Sequence, residues 1–249
     1  VYKRQVYDLR NRWSSGELLP QRLPEVLSLP VPGRPEKPEL VDPKNVPRRN
    51  FINPQGRLSL VHAIAHIEFN AINLALDAVY RFQDMPQQYY TDWIRVAAEE
   101  ADHFTMLSDY LTKHGVSYGD MPAHNGLWEM AVKTDQDVLI RMALVPRVLE
   151  ARGLDVTPTM IEKLQPTGDT QLINALKKIF DEEIGHVKIG THWYKELCEE
   201  RGVEPEQTFL VLIDKYMSGA KFGPFETEAR LEAGFTAEEM QRLLNLYTP

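Results

Sequence analysis

The stretch from Leu58 to Phe82 contains neither proline nor glycine, and its apolar residues Leu60, Ile64, Ile67, Ala71, Leu74 and Val79 recur mostly at spacings of three and four. That period puts them on one stripe of a helix, so the stretch is predicted to be a single long helix. Gln83-Asp84-Met85-Pro86 is a short break with proline where a new helix begins. The next periodic run reaches His114-Gly115, where glycine suits a C-terminal cap. These two helices are expected to form an antiparallel hairpin.

The segment from Gly115 to Thr134, with Gly119, Pro122, Gly126 and a short helix near Leu127 to Lys133, is long enough to cross the length of a bundle. It predicts a third helix parallel to the second, capped by Thr134 or Asp137 and reaching Arg152-Gly153 with a bend at Pro146. After Thr157-Pro158, Asp169 caps a fourth helix carrying Leu172, Leu176, Phe180, Ile184 and Val187 to about Arg201-Gly202. Beyond it come a helix near Pro205, the loop Lys221-Phe222-Gly223-Pro224-Phe225, and a last helix in which Thr236 and Glu239 form a capping box. No strand pattern is visible. The prediction is all-α: an N-terminal extension over 1–55, a four-helix bundle over 56–202 with a long crossover between its second and third helices, and a C-terminal helical extension over 203–249. Nine prolines between Leu18 and Pro54 exclude long helix there and favour an extended strap or a flexible arm. Val1-Tyr2-Lys3-Arg4-Gln5 reads like a translated sequencing adapter with the native start missing, and is set aside.

A formal charge of -8 and a pI near 5.4 argue against broad contact with a phosphate backbone, so nucleic acid is not the expected main partner. The single cysteine, Cys198, forms no intrachain disulfide and has no second thiol for a zinc or redox pair. No run approaches the roughly 18 apolar residues of a membrane span, and no signal-peptide core is visible. A cytoplasmic protein is expected.

Two Glu-x-x-His steps, Glu100 to His103 and Glu183 to His186, each put a carboxylate and an imidazole on one helical face. With 22 Glu and 7 His, chance alone gives about one such step, so spacing has to carry the argument. Each step has a glutamate upstream on the preceding helix at nearly the same distance: Glu68 lies 100 − 68 = 32 positions before the first and Glu150 lies 183 − 150 = 33 before the second. A carboxylate followed by Glu-x-x-His, twice over, is the ligand arrangement of two-metal carboxylate bundles. Hard carboxylate oxygens neutralise and bridge two cations, and one imidazole per metal leaves positions open for water, peroxide or oxygen. The six candidate ligands are Glu68, Glu100, His103, Glu150, Glu183 and His186. Glu68 and Glu150 are expected as terminal ligands and Glu100 and Glu183 as bridges, although spacing does not fix which carboxylates bridge. The competing reading makes Glu99, Glu100, Glu182 and Glu183 solvated surface. Against it stands Glu68 inside Ala65-His66-Ile67-Glu68-Phe69, an apolar setting in which a carboxylate needs a charge partner.

The chain resembles the ferritin-like superfamily, and within it an uncharacterised bacterial family known as a domain of unknown function. The resemblance is carried by His62-Ala-Ile-Ala-His66-Ile-Glu68, Leu74-Ala-Leu-Asp77, Glu99-Glu100-Ala-Asp-His103-Phe104, Pro146-Arg-Val-Leu-Glu150-Ala-Arg-Gly-Leu-Asp155, Asp181-Glu-Glu183-Ile-Gly-His186 and Gly223-Pro-Phe225. It implies the same six ligands and a non-haem metal site in a helical bundle. It implies no substrate. The leader and tail are not parts of a minimal ferritin cage subunit, which points to a discrete enzyme or homo-oligomer.

His62 and His66 lie well round the helix from Glu68 and are expected to pack or support. Tyr110 and Trp193, each seven residues after a ligand histidine, line the same face as core or as pocket. Arg147 and Arg152 flank Glu150, either bonding it or pairing elsewhere, and Pro146 frees a backbone carbonyl in the third helix. Arg48, Arg49 and Arg57 are weighed as salt-bridge anchors or pocket residues. His114, His124 and His192 receive no role. The leading functional expectation is a di-iron oxidoreductase activating dioxygen, with manganese or a mixed iron/manganese pair as variants, an unknown small-molecule substrate and an electron-donor protein as partner. The alternatives are a ferrous iron or peroxide-handling protein, or a non-catalytic metal-stabilised bundle. The apolar pocket that an organic substrate needs discriminates among them.

Overall fold

In the computed structural model the described residues are 2–47, 50–220 and 223–247. Arg48, Arg49, Lys221 and Phe222 lie outside them. Among the described residues the chain is all-α, with one isolated bridge between Leu40 and Ala123 and no strand. No described helix is long and apolar enough to cross a membrane. The chain forms two units, residues 1–133 with 163–175 and residues 134–162 with 176–249. This division cuts through the 56–202 segment.

The first unit contains α1 (Tyr2–Ser14), α2 (Pro54–Arg81), α3 (Gln87–Lys113) and α4 (Gly126–Lys133). Proline opens α2, and the Asn53 side chain accepts the otherwise unpaired N–H groups of Gln55 and Gly56. α2 and α3 form the expected hairpin. Small residues Ala65, Ala97, Ala98 and Ala101 are fully buried, leaving room for the backbones to approach. Ile67 departs from the predicted stripe and stands 39% exposed, while Glu68 beside it is buried. α1 lies on α3, with the Tyr7 hydroxyl donating to Asp102 at 2.5 Å and the Trp13 indole to Thr91 at 3.0 Å. The strap is hydrogen-bonded along its length: Leu23 N–H to Gln83, Leu27 N–H to the Tyr80 hydroxyl, and Leu29 carbonyl from the Trp128 indole. Asp169 takes its predicted place as a cap, accepting from Leu172 N–H at 3.1 Å.

The second unit contains α5 (Val138–Leu144), a π-helical turn (Val145–Glu150), most of α6 (Ala151–Leu164), most of α7 (Thr170–Glu200), α8 (Pro205–Met217), α9 (Thr227–Glu232) and α10 (Ala237–Tyr247). The bend expected at Pro146 is this π turn, in which Ala151 N–H bonds back five residues to the Pro146 carbonyl. Proline has no N–H for a regular ladder, and the wider turn accommodates the ring. Opposite it, α7 carries glycine at 190, where a Cβ would lie 2.3 Å from the Pro146 ring. The helix expected to end at Arg152-Gly153 continues to Leu164 through Pro158. Buried Ala151, Leu154 and Leu164, together with the Asp155 anchor, outweigh the local penalty of glycine and proline. α10 opens on the predicted capping box: Glu239 N–H bonds the Thr236 hydroxyl at 3.0 Å and Thr236 N–H bonds Glu239 at 2.9 Å.

Candidate metal centre

In an antiparallel hairpin, residues equidistant from the turn stand level, because both helices rise about 1.5 Å per residue. Taking Asp84 as the middle of the α2–α3 turn, Glu68 is 84 − 68 = 16 residues before it and Glu100 is 100 − 84 = 16 after it. His103, one turn further along α3, shares the face of Glu100. The structure brings these three side chains together. His103 Nδ1 lies 3.2 Å from Glu68 Oε2 and 3.3 Å from Glu100 Oε2. Their ligand atoms all fall within 4.8 Å of one another, and all three groups are buried.

Electrostatically the arrangement is costly without a cation. Burial and the neighbouring Glu100 charge push the Glu68 carboxyl up to about 8 from its usual 4.5, with His103 pulling the other way. Burial also opposes a charged His103, but hydrogen bonds and charge from Glu100 and Glu68 win and hold it up at about 11. Two buried carboxylates and an imidazole, convergent and closed to water, make a donor set compatible with a divalent transition-metal cation. These residues fit a metal.

The second set has the same residue types, and within it the structure brings Glu183 and His186 together. Glu150 closes the π turn and is half-buried. Glu183 and His186 share one face of α7, both buried, with His186 Nδ1 3.4 Å from Glu183 Oε1.

The other singled-out residues have their own partners. His62 Nε2 accepts from Gly119 N–H at 2.9 Å, and burial holds the imidazole below its usual value. His66 lies 2.9 Å from the Tyr118 hydroxyl and 3.1 Å from the His124 carbonyl, with burial lowering it to about 4. Tyr110 donates to Asp169 at 2.5 Å. Arg57 holds the carbonyls of Phe51 and Ile52, and Arg147 and Arg152 are bonded to Glu239 and to the Pro224 carbonyl respectively. Sequence reasoning missed Tyr118, whose ring packs on both Phe69 and Phe104, the residues immediately after Glu68 and His103. Nothing in its Ser117-Tyr118-Gly119 loop setting marks it.

The helices and the buried carboxylate–histidine cluster define an all-α protein suited to metal binding. The chain belongs to the family described as "Protein of unknown function (DUF455)", whose model matches residues 3–241. It is 49% identical over 213 residues to an "Uncharacterized protein" of Haemophilus influenzae (strain ATCC 51907 / DSM 11121 / KW20 / Rd), covering 83% of this chain and 74% of that protein. No solved structure matches the chain.

Proposed function

We propose that this protein is a ferritin-like di-iron oxidoreductase that activates dioxygen toward a small, largely apolar substrate, with Glu68, Glu100, His103, Glu150, Glu183 and His186 holding the metals. The observation that carries this reading is the buried convergence of Glu68, Glu100 and His103, in which a cation would relieve the repulsion between the two carboxylates. The repeat of the same residue types at Glu150, Glu183 and His186 supports a second metal. When bound, the two iron ions supply the electrons that reduce dioxygen. The chain's own part is to bind and orient. Carboxylates give hard, charge-neutralising oxygen donors, each imidazole fixes one direction, and the apolar walls exclude water.

An organic substrate is favoured over iron or peroxide handling by the apolar cavities of the first unit. One of about 140 Å³ is lined by Val6, Leu9, Phe69, Ile72 and Leu76, with Gln5 and Asn73 as its polar members, so it reaches the residue next to Glu68. Leu9 also lines a groove of about 500 Å³ in which Trp13, Val79, Tyr90 and Ile94 form an apolar wall and Glu17, Gln21, Arg22 and Gln83 a polar one. The larger of the two has the volume of a small-molecule site. The given sequence carries no flavin or nicotinamide fingerprint, and an electron-donor protein is part of the proposal.

The test is metal content per chain after expression with iron and manganese available, for wild type and for Glu100→Ala combined with His186→Ala, followed by oxygen uptake with an artificial reductant. About two metals per chain, lost in the double variant, with oxygen uptake that depends on an added apolar compound, is the expected result. No bound metal under any loading condition overturns the reading, and uptake driven equally by ferrous iron alone turns it into iron handling.

A further inference from the structure

Glu150 differs from the other five proposed ligands in standing on a π turn, and a π turn has an alternative. Drawing Val145–Glu150 into a regular helix removes one residue from the bulge and rotates the helix upstream of the turn relative to the helix downstream by about 100°. Something must hold the turn open. Gly190 makes room for Pro146 but does not grip it.

Arg147 does grip. Its side chain is fully buried, and its guanidinium carbon sits 4.5, 4.1 and 4.5 Å from the ring centres of Tyr194, Phe209 and Phe235. Nη2 donates to Glu239 Oε1 at 2.5 Å, while Nε and Nη1 have no hydrogen-bonding partner among the described residues. A planar cation suits three ring faces as a lysine does not. Glu239 is itself fixed, since its other oxygen accepts Thr236 N–H in the α10 capping box. On the far side of the turn, Arg230 of α9 makes a bidentate pair with Asp155 at 2.8 and 2.7 Å and reaches the carbonyl of Ala151 at 3.5 Å. The C-terminal helices therefore hold the chain both within the turn and just after it.

We propose that Arg147 is a positioning residue: clamped by Glu239 and the rings of Tyr194, Phe209 and Phe235, it fixes the π turn in the register that presents Glu150 to its metal. This rests on the metal reading above. The C-terminal helices then act as a brace for a ligand.

The experiment compares wild type with Arg147→Met combined with Glu239→Leu, which removes both charges together so that neither is left buried and alone. Asp137→Asn serves as a control, because it weakens the Arg201–Asp137 pair at 2.8 Å in the same unit without touching the turn. Manganese binding is titrated against a competing chelator, and metal-free crystal structures are determined for both proteins. The expected result is one manganese weakened by about 10- to 100-fold in the double variant, the other unchanged, and neither affected in the control. Residues 145–150 are expected to relax toward regular helix with Glu150 turned. Unchanged affinity, or an equal loss in the control, overturns the proposal by reducing Arg147 to general stability. A metal-free double variant that keeps the π turn overturns it as well, whether or not wild type binds metal. Wild type that binds no manganese while the variant's turn relaxes instead defeats the metal reading and leaves the clamp standing.

Discussion

Replacing Glu68 by glutamine should stabilise the metal-free protein and weaken its hold on metal, opposite effects from one atom-for-atom change. Glu68 is 4% exposed, and burial beside Glu100 lifts its carboxyl from 4.5 to about 8. A carboxyl raised in the folded state costs stability above its unfolded value, and the cost grows until the folded value is reached. At pH 7, with the cost accumulating from 4.5, it amounts to about 3 kcal/mol. Glutamine keeps the shape and carries no charge, so chelator-treated Glu68→Gln should melt on the order of 5–10 °C above wild type at pH 7. The gain should widen toward pH 8 and vanish near pH 4.5. Melting curves at pH 5, 7 and 8, with metal content on matched samples, read both effects. A metal-free variant melting at or below the wild-type temperature at pH 7 refutes the argument from buried like charges. A higher melting temperature with undiminished metal refutes Glu68 as a ligand.

Two further outcomes concern the charged and polar anchors. Asp155→Ala leaves the Arg230 guanidinium, 3% exposed, without its bidentate partner, and urea unfolding should show a loss of about 3–5 kcal/mol; a loss below about 1 kcal/mol would mean that solvent reaches the arginine. His62 must be neutral to accept Gly119 N–H, and burial holds it below 6.5, so its contribution is complete above pH 6.5 and is lost as the pH falls below that. In His62→Gln the decline of stability between pH 6.5 and 5 should flatten, and an unaltered slope would assign the decline to other groups.

The helical segments were legible because their apolar periods are long and their ends are marked by residues with one physical job each. Asp137, Asp169 and the Thr236–Glu239 pair all cap where a side-chain oxygen next to a periodic run should, whereas the Asn53 cap, which starts α2 at Pro54 ahead of the expected Leu58, went unread. The six candidate ligands were picked out for a different reason, a repeated spacing of glutamate and histidine, and of them the structure brings Glu68, Glu100 and His103 together in the first unit. The features that escaped were set by tertiary partners. Pro158 and Gly153 read as breaks, yet α6 runs through both on the strength of its buried face and Asp155. Arg147 read as a neighbour of Glu150, but its partner lies 92 residues away, beyond the reach of any local pattern. Helix α1 went unread because its first residues resemble an adapter. The Tyr118 stack depends on a crossover loop folding back over α2 and α3, which no period encodes.

That separation of 92 residues also sets a clock for biosynthesis. At about 5–20 residues per second, Arg147 is made roughly 5–20 s before its counter-charge. The second unit begins at Thr134, is interrupted at Lys163 and resumes at Leu176, so it cannot close in simple order of emergence. Until Glu239 has been added, the guanidinium must stay hydrated or borrow another partner, and the turn bearing Glu150 has no clamp. On the metal reading proposed above, loading at Glu150 is expected to come after translation rather than accompany it.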